Sequence, residues 1–182
     1  MNTQIKDLEV MDYPPLTEDL EEAKEHLDLY GMALIKNVLS TDEVDQMDQR
    51  LTEQFFGEEK FKVGSKVRGD EGLGVESSEE EKVSRLVWNL INKGDCFLKL
   101  IDHPKILPLI QHIIGERVCL CSMGAHMNGS GNERMALHQD QWPLVPHPMD
   151  FAFMANVMYL ISDNSQENGG TRLIPGSHKW PV

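Results

Sequence analysis

The chain has 182 residues, of which 40% are hydrophobic and 26% charged, so it is long enough and apolar enough to bury one globular core. Its formal net charge of −13 argues against nucleic acid and anionic membrane surfaces as partners, because both bind cationic patches. No apolar run approaches the ~18 residues that span a bilayer, and the polar, acidic start lacks a signal-peptide pattern. With only three cysteines, an odd number, a cytoplasmic, reducing location is the simplest interpretation.

The first part of the chain shows helical periodicity. Apolar residues at intervals of three and four predict a helix over 17–30, which ends at Gly31, a residue suited to a left-handed C-terminal turn. The segment "MALIKNV" then predicts a short strand. Ser40 and Glu43 form a capping-box pair before a second helix, whose apolar stripe consists of Val44, Met47, Leu51 and Phe55.

Residues 57–82 interrupt this pattern with glycine, serine and charge, which predicts a loop or a lid. The stretch "VSRLVWNLINKG" is interpreted as a helix, because four apolar residues fall on one helical face: Val83, Leu86, Val87 and Leu90. A further helix is predicted in "HPKILPLIQHIIG", with Pro104 near its start and Gly115 at its end.

Strand composition replaces helical periodicity after Gly115. Extended segments are predicted in "ERVCLCSMGAHMN", in "FAFMANVMYLI" at 151–161, and in the short "TRLI" that runs into the turn "PGSH". Cys119 and Cys121 lie two residues apart in the first of these segments, a spacing that suits small buried side chains better than a disulfide. Helices first and strands second predict an α+β fold whose strands are antiparallel.

The chemically distinctive stretch is "MALHQDQWP", in which His138 and Asp140 stand two residues apart at the end of a predicted strand. In an extended chain, residues at this spacing point to the same side, so the two side chains converge. An imidazole and a carboxylate are two of the three ligands in the facial triad of non-haem Fe(II) oxygenases. In a loop, the same pair is an ordinary solvated pair, so the motif alone is a weak signal.

The wider pattern "ALHQDQWPLVPHP…ANVMYLISDNSQENGGTRLIPGSHKW" resembles the phytanoyl-CoA dioxygenase family, closely over residues 115–180 and more loosely over "LDLYGMALIKNVLSTDEVDQM". The resemblance implies an Fe(II)- and 2-oxoglutarate-dependent dioxygenase, which oxidises a small organic substrate with dioxygen in a hydroxylase-type reaction. It also implies N-terminal helices packed on a double-stranded β-helix, or jelly roll. The chain would then be one domain over 1–182, with a mostly helical part at 1–115 and the first part of the jelly roll at 116–182.

The resemblance also implies roles for individual positions. His138 and Asp140 match the first two iron ligands, Thr171 matches a position near 2-oxoglutarate, and Asn156 is a further candidate to bind this co-substrate. The alternative is a turn threonine and a strand asparagine that are satisfied by the backbone. His178, in the turn "PGSH", is interpreted as a residue of the turn or of the barrel mouth and not as a ligand. Weaker candidates for substrate contact are His126, Gln141, Trp142 and His147.

Other polar and turn residues have structural explanations. Asn168-Gly169-Gly170 is first of all a hairpin turn, because glycine supplies positive φ, and Pro175-Gly176 is a tight turn. Three histidines in helical segments are interpreted as surface or packing residues: His26, His103 and His112.

The sequence also departs from the family's pattern. The family's third iron ligand, a histidine, and the arginine that binds the 2-oxoglutarate carboxylate normally lie well beyond the "PGSH" turn, and nothing here matches them. Only about half of the jelly-roll strands are expected in this chain. Three explanations stay open: a fragment of a longer protein, which we favour, an inactive short form that acts as an interaction module, or a sheet completed by another chain, as in a homo-oligomer. A cupin-type metal protein without 2-oxoglutarate is a further alternative.

Overall fold

The computed structural model describes residues 11–67, 84–128, 137–140 and 151–180, and of 65–67 and Ser84 it describes the backbone alone. Within these ranges, helices and short strands alternate along the chain, so the α+β composition is confirmed, although four of the five strands precede residue 115. The elements are β1 (Leu16–Thr17), α1 (Leu20–Tyr30), β2 (Leu34–Ile35), α2 (Thr41–Phe61), β3 (Ser65–Val67), β4 (Ser84–Trp88), α3 (Asp95–Leu98), α4 (Leu107–Ile114) and β5 (Gly124–Met127).

Helix α1 ends where the sequence predicts, at Tyr30, but it begins three residues later than predicted, at Leu20. The Asp19 carboxylate caps it by accepting hydrogen bonds from the N–H groups of Glu21 (2.8 Å) and Glu22 (3.0 Å). Gly31 ends it with φ +73°. The start of the predicted span instead forms β1, which pairs in parallel with β2, the strand predicted in "MALIKNV".

Helix α2 begins with the predicted capping box. The N–H of Glu43 donates to Ser40 Oγ (3.3 Å), and the N–H of Ser40 donates to the Glu43 carboxylate (2.9 Å). The helix continues to Phe61, so the predicted loop or lid at 57–82 is wrong over its first five residues. The prediction is also wrong at 65–67, where the chain forms β3. Its last part, 68–82, lies outside the described residues.

We expect Ser40→Ala to lower the free energy of unfolding by about 1 kcal/mol, because it removes the acceptor for a helix-terminal N–H. Urea denaturation followed by circular dichroism measures the change. Thr41→Ala is the control, since Thr41 is the first residue inside the helix and is exposed. Equal losses in the two variants would contradict a capping role for Ser40.

Strand β4 corrects the prediction of a helix in "VSRLVWNLINKG". It is the central strand of an antiparallel sheet ordered β3-β4-β5, in which Leu86 lies opposite His126. Leu86 and Val87 are 2% and 0% exposed, although neighbouring side chains of a strand point to opposite faces. A strand that is covered on both faces loses the apolar–polar alternation that identifies a strand in sequence, so its apolar spacing fits a helix equally well. A 3₁₀ turn at Leu90–Asn92 follows it.

The core lies between α2, β4 and α3. Its buried members are Met47, Leu51, Phe55, Val87, Leu90, Phe97 and Leu100. Three of the four residues in the predicted α2 stripe are therefore core residues, and Val44 is only half-buried. Partly buried residues from later in the chain pack against this cluster: Met123, Ala125, Tyr159 and Ile161. The core thus connects the helical layer to the segments that flank the candidate ligands.

A buried carboxylate ties the far end of α2 to the turn after β4. Glu58, 8% exposed, accepts hydrogen bonds from the Lys93 ammonium and from Gln54 Nε2 (2.8 Å). Burial acts to raise the pKa of Glu58, but these two donors outweigh it and the net pKa lies below the ordinary value. Arg50 Nε adds a bond to the Lys93 carbonyl (2.6 Å). These bonds fix α2 against the sheet.

Helix α4 confirms the prediction in "HPKILPLIQHIIG": it ends before Gly115, with φ +91°, and Pro108 stands in its first turn. The helix starts three residues after Pro104. None of the helices in the described ranges is both long and apolar enough to cross a membrane.

The late strands are only partly formed. "ERVCLCSMGAHMN" becomes a strand over Gly124–Met127 alone, and residues 151–161 and 171–174 are neither helix nor paired strand. A strand needs a hydrogen-bonded neighbour, and the described part of the chain provides none for these segments. Its two sheets have two and three strands and close no barrel. Cys119 and Cys121 are exposed free thiols, so the expectation that they are buried is wrong.

Candidate metal centre

His138, Asp140 and Asn156 come together in the structure. His138 Nε2 lies 3.4 Å from Asp140 Oδ1, and each of these two side chains is 50% exposed. The Asn156 side-chain amide, 16 residues further along the chain, donates a hydrogen bond to Asp140 Oδ2. One carboxylate oxygen is thereby held by the amide, and the other faces the imidazole. The group is open to solvent and therefore accessible to an ion or a small molecule.

These contacts define a two-ligand arrangement. Two ligand atoms that lie 2.0–2.2 Å from one metal ion at right angles are about 3 Å apart, close to the observed separation. Within the described residues, no three His, Cys, Asp or Glu side chains come close enough together to hold a metal ion. The described part of the chain thus supplies an imidazole, a carboxylate and the amide that orients it.

Asn156 has a partner that the sequence did not predict. The resemblance implies a contact to 2-oxoglutarate, whereas the structure shows the amide bonded to a candidate ligand. Such partners orient a ligating carboxylate and are part of most metal sites. The contact between residues 140 and 156 could not be predicted from the sequence, because no spacing rule connects two residues on either side of a loop.

The segment around Asn156 presents two different sides. Tyr159 and Ile161 pack against the core, and the Tyr159 hydroxyl donates to the Leu100 carbonyl (2.9 Å). Burial raises the pKa of the Tyr159 phenol to about 12, so it stays a hydrogen-bond donor at neutral pH. Between and before these residues, Met158 and Leu160 are each 54% exposed. From Met158 to Ile161, exposed and packed side chains alternate as they do in an extended chain, in which Asn156 would share the side of Met158 and Leu160. Val157, which would lie on the packed side, is 40% exposed.

A turn is present at Asn168-Gly169-Gly170, as predicted, but within the described residues no paired strands flank it, so it is not a hairpin. Asn168 bridges its own loop: its amide donates to the Asp163 carbonyl, and its side-chain oxygen accepts from the Ser165 N–H (2.7 Å). Gly169 has φ +81°, as the turn requires, and its carbonyl accepts from Asn128 Nδ2 (3.0 Å). The loop is therefore joined to the residue that follows β5.

Thr171, directly after this turn, is exposed, and it makes no hydrogen bond to the other three site candidates within the described ranges. The structure therefore does not bring Thr171 into the group of His138, Asp140 and Asn156. Its assignment to 2-oxoglutarate stays a prediction.

His126 lies on β5, where its backbone pairs with Leu86. Its ring reaches the surface, but the surrounding protein displaces enough water to lower the pKa of the imidazole. The remaining weak candidates for substrate contact lie outside the described residues: Gln141, Trp142 and His147.

The other histidines have structural environments, as predicted. His26 is buried, with its ring edge-on to Tyr30 at 5.7 Å between centroids. His112 Nε2 lies 2.8 Å from the Asp28 carboxylate. The His103 ring makes an edge-to-face contact with the ring of Tyr159. His178 belongs to the 3₁₀ turn Ser177–Lys179, where it contacts the end of α1.

Comparison with known proteins identifies the family of the chain. The family model described as phytanoyl-CoA dioxygenase (PhyH) matches residues 27–182, and the chain therefore belongs to the phytanoyl-CoA dioxygenase family. Several relatives of the chain are themselves named dioxygenases. No solved structure is significantly similar to the chain.

Three relatives illustrate the similarity. Dioxygenase af480 of Aspergillus fumigatus is 29% identical over 165 residues, which are 91% of this chain and 51% of the relative. Dioxygenase sphC of the same species is 26% identical over 172 residues, 89% of this chain and 46% of the relative. A probable alpha-ketoglutarate-dependent hypophosphite dioxygenase of Stutzerimonas stutzeri is 28% identical over 106 residues, 58% of this chain and 36% of the relative. The chain thus spans about half the length of the first two relatives, and the match to the third covers about a third of that relative.

Proposed function

We propose that this chain supplies the metal-binding pair of an Fe(II)- and 2-oxoglutarate-dependent dioxygenase, which oxidises a small organic molecule by hydroxylation. The observation that carries the proposal is the His138–Asp140 contact of 3.4 Å, with Asn156 holding the carboxylate, in a stretch that matches the family model. One relative is itself named as alpha-ketoglutarate-dependent, which supports the choice of co-substrate.

The chemistry of the donors fits Fe(II). A neutral imidazole and a carboxylate are the ligand types of the facial triad, and the ion would leave open positions for co-substrate and dioxygen. A surface ion pair can have the same His–Asp separation, so geometry and family membership are both needed for the assignment. The third histidine and the 2-oxoglutarate arginine implied by the resemblance would come from a part of the protein that the described residues do not include.

Bound iron would supply dioxygen activation coupled to the oxidative decarboxylation of 2-oxoglutarate. In this chain, His138 Nε2 and the Asp140 carboxylate would hold the ion, and Asn156 would keep the carboxylate turned toward it. We assign Thr171 to the co-substrate through its hydroxyl, and the second N–H of the Asn156 amide is a further donor for it. His126, Gln141, Trp142 and His147 are our weaker candidates for substrate contact.

The proposed jelly roll has support from the segment around Asn156. Met158 and Leu160 are apolar and exposed on the Asn156 side, while Tyr159 and Ile161 are packed on the other side. A segment with apolar side chains on two sides buries both when it becomes a strand of a two-layer β structure with helices outside. In the proposed barrel, the Asn156 side faces the interior, where substrate binds.

Two alternatives define what the experiments must exclude. A cupin-type metal protein would bind the ion without consuming 2-oxoglutarate, and an interaction module would need neither. The name of the alpha-ketoglutarate-dependent relative argues against the cupin-type protein. The relatives named dioxygenases argue against a module that only binds a partner. A cytoplasmic location and a small-molecule substrate complete the proposal, with a homo-oligomer as one way to cover the exposed strand faces.

The test is succinate formation. The complete protein is purified without oxygen, loaded with Fe(II) and 2-oxoglutarate, and then exposed to oxygen, and succinate is compared with a metal-free control. Succinate that depends on iron and accompanies oxygen uptake supports the proposal. Iron binding without succinate favours the cupin-type alternative, and no iron binding favours the interaction module.

For residues 1–182 alone, we expect no catalytic succinate release. The described residues bring together two candidate protein ligands, whereas the resemblance implies three. The resemblance also implies a bidentate arginine contact to 2-oxoglutarate, which contributes roughly 1.5–3 kcal/mol, and no arginine of this sequence matches it. The same assay on this segment measures the outcome. Many turnovers per iron would contradict the expectation and direct mutagenesis to His126, His147 and His178.

A further inference from the structure

The C-terminal end of α1 needs hydrogen-bond donors from elsewhere. The last carbonyls of a helix have no partners within the helix, and a cation or a histidine often satisfies them. The Gly31 N–H donates to the Leu27 carbonyl (3.0 Å), which leaves the carbonyls of the three following residues. The last turn of α1 contains no basic residue of its own.

The distant turn at 174–179 contacts two of these three carbonyls. The Gly176 N–H donates to the Tyr30 carbonyl (2.7 Å), and His178 Nε2 lies 3.4 Å from the Asp28 carbonyl. The His178 ring also lies against Gly31: a β-carbon added to Gly31 would collide with its Nδ1 and would come within 2.6 Å of its Cγ. The glycine that ends α1 is therefore also the surface on which the histidine rests.

We infer that the turn "PGSH" is a C-terminal cap of α1 supplied from about 150 residues away, and that His178 is the residue that positions it. The cap does not depend on the proposed function. Its consequence for the candidate co-substrate residue Thr171 does rest on that function.

The consequence follows from where the anchors lie. Asn128 holds the carbonyl of Gly169, two residues before Thr171. Tyr13 holds Leu173, two residues after it: its hydroxyl donates to the Leu173 carbonyl (2.9 Å) and lies 3.2 Å from the Leu173 N–H. The cap at 176–178 fixes the next turn to α1. Thr171 is thus held from both sides by Asn128 and Tyr13, and the cap is the next anchor along the chain. Loss of the cap leaves Tyr13 as the only one of these contacts after Thr171, so we expect the loop to loosen from Leu173 onward.

Charged groups around the cap set its pH dependence. Asp28 and Lys179 face His178, and His112 contacts the Asp28 carboxylate from α4. Desolvation lowers the pKa of His178, with Lys179 in the same direction, and the Asp28 contacts oppose it only in part. The unfolded chain therefore takes up this proton at a higher pH than the folded one. The contribution to stability is complete above about pH 6.5, the ordinary histidine value, and decreases as the pH falls below it.

A double-mutant cycle tests the cap. We expect Gly31→Ala to lower the Tm by roughly 2–6 °C through left-handed backbone strain alone, with a further loss from the collision with His178. In the His178→Ala background, the collision with the ring is gone, so Gly31→Ala costs less. The control cycle pairs Gly31→Ala with His112→Ala, the other histidine at Asp28, where the effects should add. Additivity in both cycles would overturn the inference.

Two further readouts separate positioning from general stability. In ¹H–¹⁵N spectra of the chain, His178→Ala should shift the amide signals of Gly176 and Thr171, and it should leave that of Glu43 at the start of α2 in place. His178→Gln, which retains an N–H donor, should restore much of the wild-type spectrum and remove the loss of stability between pH 7 and 5 that belongs to the imidazole. Unchanged Gly176 and Thr171 signals in His178→Ala would refute a positioning role, whatever the outcome of the succinate assay.

Discussion

Replacing either His138 or Asp140 with alanine should abolish iron-dependent succinate formation in the complete protein. Each change removes one of the two proposed ligand atoms, which lie 3.4 Å apart, and the other proposed ligand alone would not fix the ion in the open facial geometry. Loss of a supporting group around a metal typically costs 10–100-fold in affinity or activity, so loss of a ligand should cost more than about 100-fold. Turnover and Fe(II) affinity, measured without oxygen, are the two readouts.

A graded series makes this prediction specific. Asn156→Ala, which removes the bond to the Asp140 carboxylate, should fall between the wild type and the ligand variants, with a loss of about 10–100-fold. Asp102→Ala, a change of an exposed aspartate next to α4, is the matched control and should leave both readouts unchanged. Full Fe(II) binding and full turnover in both ligand variants would exclude His138 and Asp140 as ligands.

Phe97→Ala should have the largest effect on stability. Phe97 is 1% exposed and belongs to the core formed by α2, β4 and α3, and truncation of a buried phenylalanine costs about 3–5 kcal/mol. Its neighbour Leu98 is on the same short helix but is 42% exposed, so Leu98→Ala is the control and should cost much less. Urea denaturation midpoints compare the two variants. Similar midpoints would mean that the core does not centre on Phe97.

Local signals in the sequence predicted the helical layer well. The capping box at Ser40, the glycine that ends α1 and the stripe at Met47, Leu51 and Phe55 are each specified by neighbours within one or two turns. Strand β4 could not be recognised in this way. Leu86 and Val87 are both buried because β3, β5 and α2 surround them, and this is a property of distant segments and not of the local pattern.

In the candidate site, too, the local contact was predictable from the sequence and the long-range contacts were not. The spacing of His138 and Asp140 predicted their convergence, because both residues lie on one short stretch of chain. Asn156 was identified by resemblance, but its bond to Asp140 and the contact between His178 and Gly31 join segments that are 16 and 147 residues apart. Such contacts depend on how the loops fold back, which no local periodicity encodes.

The exposed thiols at Cys119 and Cys121 affect how any assembly of this protein is measured. A solvent-accessible thiol is oxidised readily, and iron in the presence of air promotes such oxidation, so two copies can become covalently linked through these positions. A dimer seen by gel filtration without a reductant could then be held by a disulfide between copies and not by a sheet completed between them. Replacing both residues with serine distinguishes the two origins, because a dimer held by strand pairing persists in the serine variant. The same variant also removes two soft ligands that would compete with His138 and Asp140 for added metal.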